Sequence, residues 1–130
     1  MSTRNLKTIL ILDAVTCLGV FALGLLAAGP VGALLGLPAT VVAIGGWICI
    51  AAALAMLAAA RQAVPNAALV RLIALGNLGW VAASLGVVAV FAAQMTGIGI
   101  AVVIAQAAAV LGFAIVEWKG AGAASNAVAA

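Results

Sequence analysis

Between Ala14 and Ala60 the chain carries no charged residue for 47 positions, and between Leu72 and Val116 none for 45. An α-helix rises about 1.5 Å per residue, so about 20 residues cross a hydrocarbon layer of about 30 Å. Each uncharged block is therefore long enough for two crossings, provided that a turn interrupts it. Gly29-Pro30 and Gly36-Leu37-Pro38 bracket such a break in the first block, and Gln94-Met95-Thr96-Gly97 marks one in the second. Pro65-Asn66, between Arg61 and Arg71, separates the blocks. The expected architecture is all-α: a polytopic membrane protein with four transmembrane helices in a compact bundle, at about 8–28, 39–60, 67–93 and 97–118. Pro30, Pro38 and Pro65 each suit a first helical turn, where a missing N–H costs nothing.

Composition agrees. Apolar residues make up 69% of the chain and charged ones 5%, with a mean hydropathy of +1.47. Soluble domains hold about 45–50% apolar and about 25% charged residues, so no water-facing surface can be built from this set. A cytosolic enzyme, a nucleic-acid binder and a disordered chain are excluded on that ground.

The five basic residues set an orientation. Arg4 and Lys7 precede the first helix, Arg61 and Arg71 lie between the second and third, and Lys119 follows the fourth. Four crossings place all of these on one side, which the positive-inside rule assigns to the cytoplasm. The expectation is a multi-pass protein of the bacterial inner membrane with both termini cytoplasmic. Residues 1–119 then form one transmembrane domain, and 120–130 a flexible cytoplasmic tail. The N-terminal stretch has the outline of a signal peptide, but its apolar run of about 20 residues is longer than a usual signal core and Asp13 interrupts it. It reads as a retained helix. The apolar stretch Gly29–Pro38 reads as a short helix lying in the outer interface, with a re-entrant segment as the alternative.

Small residues four apart offer faces for close helix contact: Gly97, Ala101, Ala105 and Ala109; Gly45, Cys49 and Ala53; Gly79 and Ala83. Lys7 and Asp13 reappear 64 residues on as Arg71 and Asn77, the mark of a candidate two-helix tandem repeat.

Polar residues inside the spans are the candidate site. Asp13 and Asn77 each lie six residues past a basic neighbour, roughly 9 Å deep, and Ser84 and Gln106 each thirteen past, roughly 20 Å deep. Trp80 joins Asn77 and Ser84 on one helix face; Gln106, Val110, Phe113 and Glu117 share another. Two polar layers result. Asp13 is either a structural partner of Asn77, Arg61 or Arg71, or a proton or cation site, because an acid within a span has a partner or a function. Ser84 and Gln106 read as interhelical hydrogen bonds or as part of a substrate site. Arg61, Arg71, Glu117, Trp118 and Lys119 read as anchors at the cytoplasmic interface. Trp47 and Trp80 lie deeper, as packed core residues or cavity walls. Cys17 and Cys49 show no CxxC spacing and behave as small apolar residues. With no histidine, and no second acid near Asp13 along the chain, no metal site and no cofactor is expected.

The arrangement Val70-Arg71, Asn77-x-x-Trp80 and Gln106…Glu117-Trp118 resembles that of small uncharacterised bacterial four-helix integral membrane proteins, a resemblance of layout over the whole chain that implies no activity. In outline the chain is also similar to the small multidrug-resistance exporters, which implies Asp13 as the coupling acid and Trp80 as the tryptophan of the third helix. It departs from them in using aspartate for glutamate, in lacking tyrosine and in its complete Lys/Arg bias. The leading expectation is a non-enzymatic protein: an accessory or assembly subunit, or a homo-oligomer held by small-residue faces, with the lipid bilayer and a membrane-protein partner as its company. The alternative is a small transporter or channel using Asp13, Asn77 and Trp80. Lipid or quinone binding is a third option.

Overall fold

The computed structural model describes all 130 residues, Met1–Ala130, and is entirely helical. Five helices follow one another: α1 (Thr3–Leu26), α2 (Ala28–Leu35), α3 (Ala39–Arg61), α4 (Ala67–Phe91) and α5 (Gly97–Ala129). All but α2 are long and apolar enough to cross a membrane. Their outward faces carry large apolar side chains, Leu26 and Val90 among the most open, and only 26 of 130 residues are buried. A surface of that kind suits a hydrocarbon solvent, in which helices satisfy their own backbone groups.

Local sequence sets the helix ends. Ser2, Asn66 and Thr96 cap α1, α4 and α5, their side chains accepting from the backbone N–H of Asn5, Leu69 and Gly99. The break after α1 falls at Leu26, four residues before Pro30. A proline ring clashes with the carbonyl four positions earlier, so the helix stops there and restarts as α2. The expected short helix between the first two spans is thus present. It closes on Gly36, the only residue with positive φ (73°), a conformation glycine adopts without steric cost.

The bundle is built as two pairs. α1 packs chiefly against α3, and α4 against α5, while contact between the pairs is sparse. Gly24 and Gly46 let the α1 and α3 backbones touch: a Cβ on Gly24 would stand 2.9 Å from the Val42 carbonyl and 3.2 Å from the Gly46 Cα. The pairs are joined at both ends. At one end the carbonyls of Leu35 and Leu34 on α2 accept from the Thr96 backbone N–H (3.1 Å) and hydroxyl (2.7 Å). Gly99 lies against the Leu35 carbonyl there, with no room for a side chain. At the other end Leu6, Leu10, Met56, Val70, Ile73, Ala121 and Ala124 form an apolar cluster contributed by all four long helices.

Two expectations are corrected. Residues 120–129 are the last turns of α5, not a flexible tail. The reason is burial: Gly120 packs beneath Leu6, and Ala121 and Ala124 lie in the apolar cluster. Of the stripe Gly97, Ala101, Ala105 and Ala109, the first three face outward and Ala109 lines the space between the helix pairs, while the buried face of α5 runs through Gly99, Val103, Ala107 and Ala114.

Candidate functional site

Three side chains from three helices meet in the interior. Asn77 on α4 donates from Nδ2 to Asp13 Oδ2 on α1 at 2.6 Å and to Glu117 Oε2 on α5 at 2.9 Å. Asp13, Asn77 and Glu117 are 1%, 6% and 0% exposed. The backbone carbonyl of Asp13 accepts from the Thr16 hydroxyl at 2.7 Å, and Asp13 Oδ1 lies 4.0 Å from the Cys17 thiol. Glu117 Oε1 is buried with no hydrogen-bond partner. Neither carboxyl group has a basic side chain beside it.

Glu117 therefore is not the interface anchor expected from its neighbours in the chain. It occupies the buried face of α5, one helical repeat beyond Val110 and Phe113, and that face turns inward. The same finding removes the premise that Asp13 lacks a second acid nearby. No group of three or more His, Cys, Asp or Glu is placed to hold a metal ion. Of the structural partners expected for Asp13, Asn77 is the one found. Arg61 and Arg71 are exposed, and the Arg71 guanidinium lies 5.9 Å from the centroid of the Trp118 ring.

The second polar layer is self-contained. The Trp80 indole N–H donates to Gln106 Oε1 at 2.7 Å, and Gln106 Nε2 donates to Ser84 Oγ and the Val103 carbonyl, each at 2.9 Å. Ser84 and Gln106 meet as their equal depth predicts, and Trp80 belongs with them rather than with Asp13. Trp80 also reaches across to α3, where a Cβ on Gly45 would stand 3.3 Å from its ring. Trp47 lies outside the core, exposed, with its ring edge-on to Phe21 at 5.3 Å.

Between the two helix pairs lies a cavity of about 570 Å³, lined mostly by apolar residues with Asp13, Asn77, Thr16 and Gln106 as its polar groups. Its α3 and α4 walls reach the molecular surface: Ile48 and Leu72 are 54% and 64% exposed. Glycine and alanine make the room, with Gly76, Gly79 and Ala83 on α4 and Ala51, Ala52 and Ala55 on α3. Cys17 on α1 and Cys49 on α3 also line it.

Asp13, Asn77, Trp80, Ser84 and Gln106 thus all belong to the interior that the sequence pointed to. Glu117 and the cysteine pair were missed. The signal for Glu117 was present in its helical register with Gln106 and Phe113, but its adjacency to Trp118 and Lys119 favoured an interfacial reading. No spacing rule relates single cysteines on different helices. No family model matches the chain, and no curated protein or solved structure matches it.

Proposed function

We propose that this is a non-enzymatic, multi-pass membrane protein that binds a small lipid-soluble organic cation in the cavity between its helix pairs. One observation carries the reading: two buried carboxyl groups, Asp13 and Glu117, share a single amide donor beside that cavity and have no basic partner. Buried charge needs a partner. The donors nearby are committed, since the Trp80 indole and the Gln106 amide satisfy each other and Ser84. What remains is acceptor capacity: Glu117 Oε1 has no partner, and Asp13 Oδ1 accepts only from the Cys17 thiol at 4.0 Å. An ammonium head supplies charge and N–H donors, whereas a quinone would bring further acceptors. The apolar walls suit a hydrocarbon or aromatic body.

The basic end of the bundle, with both termini, is assigned to the cytoplasm of a bacterial cell by the positive-inside rule. Contact between Asp13 and Asn77, which correspond under the 64-residue offset, supports the tandem-repeat reading.

Calorimetric titration of the nanodisc-embedded protein with phenylbutylamine, and with phenylbutanol as its uncharged analogue, tests the reading. The amine should bind at least ~10-fold more tightly, as a charge-assisted contact in a dry site implies. Asp13→Asn should erase that preference while leaving the protein folded. Equal binding of amine and alcohol, or an unaltered preference in Asp13→Asn, overturns it.

A second reading, as an accessory subunit or homo-oligomer, is favoured by a different observation. Gly97, Ala101 and Ala105 form an exposed small-residue stripe on the outside of α5. Such stripes allow close helix approach in lipid.

A further inference from the structure

Cys17 and Cys49 are used by neither reading, and they are placed as a pair. They come from α1 and α3, the two helices in closest mutual contact, and both line the wall of the one cavity between the helix pairs. Both are free, and Cys49 is buried. The touching backbones at Gly24 and Gly46, two turns and one turn away, fix the separation of the two helices. We propose that Cys17 and Cys49 form a two-coordinate site for a soft divalent metal, of which mercury(II) is the type.

The donor set selects the ion. Zinc takes four ligands, and calcium and magnesium six or more, mostly oxygen. Here Asp13 Oδ1 stands 4.0 Å from Cys17 Sγ, and no group of three or more His, Cys, Asp or Glu side chains is placed to hold a metal ion. Thiolate sulfur favours soft ions, and mercury(II) accepts two sulfurs in a line. Charge narrows the choice further. Two thiolates on a divalent ion make a neutral unit, suited to an apolar wall. Two thiolates on silver(I) or copper(I) leave a negative charge beside Asp13, which burial penalises.

Mercuric chloride is itself a neutral, lipid-soluble molecule and reaches the cavity through its side opening. The exchange balances without redox change. Two S–Hg bonds form and two Hg–Cl bonds break, and each thiol proton leaves with a chloride as HCl.

The test is titration of the detergent-solubilised protein with mercuric chloride, read by native mass spectrometry in competition with glutathione. One mercury per chain is expected. Chelation by two fixed thiols should give the parent at least ~100-fold stronger retention than Cys17→Ser or Cys49→Ser. Two mercury atoms per chain, or single variants that retain mercury as well as the parent, overturn the proposal. Mercury X-ray absorption on the parent decides the matter even where a variant fails to fold: two sulfur neighbours support the site, one refutes it. Silver(I) retained in preference to mercury(II) would also count against it.

Discussion

Asn77 is the one donor standing between two acids, so its removal does more than delete two hydrogen bonds. Asn77→Ala takes away the amide N–H that both Asp13 Oδ2 and Glu117 Oε2 accept from. Stranding buried acceptors costs about 1–3 kcal/mol per group, so for two groups a loss of about 2–6 kcal/mol is expected. Trp80→Phe frees a single acceptor on Gln106 and should cost about 1 kcal/mol. Thermal unfolding in detergent should therefore show a clearly larger fall in Tm for Asn77→Ala than for Trp80→Phe. Equal melting temperatures would mean that the polar cluster does not hold the helices together. At this scale the sequence was informative where a polar residue interrupts an apolar run, as Asp13, Asn77 and Gln106 do. It misled where two explanations competed for one residue. Glu117 has a tryptophan and a lysine beside it in sequence, but its register on α5 turns it toward Asn77, and register prevailed.

The helices show the same competition between local and tertiary preference. Residues 120–129 are rich in alanine and glycine and carry little that marks a span, so by composition they read as loose. They stay helical because Gly120, Ala121 and Ala124 are small enough to pass under Leu6 and join the apolar cluster. Ala121→Glu puts a charged group into that cluster and should lower Tm sharply, with loss of monodisperse protein in size-exclusion chromatography. Ser125→Glu, one residue beyond Ala124 but exposed, should leave stability within about 0.5 kcal/mol. Similar behaviour of the two variants would return the segment to the status of a tail. By contrast, the two middle spans were legible to within about two residues, the expected 39–60 and 67–93 being observed as Ala39–Arg61 and Ala67–Phe91, whereas the expected 8–28 and 97–118 are observed as Thr3–Leu26 and Gly97–Ala129. Charges, prolines and capping residues fix ends locally, and those signals are read directly from the chain.

How the helices pair was not legible, and the reason is again physical. In a chain so rich in alanine every helix face offers small residues four apart, so spacing does not single out the buried one. The stripe through Gly97, Ala101 and Ala105 points away from the bundle while Ala109 lines the cavity, and Gly45 opposes the Trp80 ring rather than a helix backbone. That outward stripe gives the whole molecule its remaining test. Ala101→Leu with Ala105→Leu touches no buried residue and should leave the Tm within a few degrees. If the stripe joins copies, the same change should convert a multimeric particle to a monomer in mass measured by light scattering. A monomeric parent would remove the homo-oligomer reading and leave the cavity as the working part.

The cavity opens at Ile48 and Leu72, while the α2 contact with Thr96 and the apolar cluster around Leu6 close the bundle at its two ends. In the proposed membrane setting, a molecule bound there arrives from the bilayer rather than from water, so the membrane acts as the first selective step. Its concentration at the opening is set by its partition coefficient, and each methylene added to a ligand transfers about 0.8 kcal/mol more favourably. That is roughly a fourfold rise in local concentration for every carbon, before any contact with the protein is made. Apparent affinities expressed per litre of water should therefore climb steadily along a homologous series. Affinities expressed per volume of lipid should stay nearly level until the chain outgrows the space that the glycines and alanines leave.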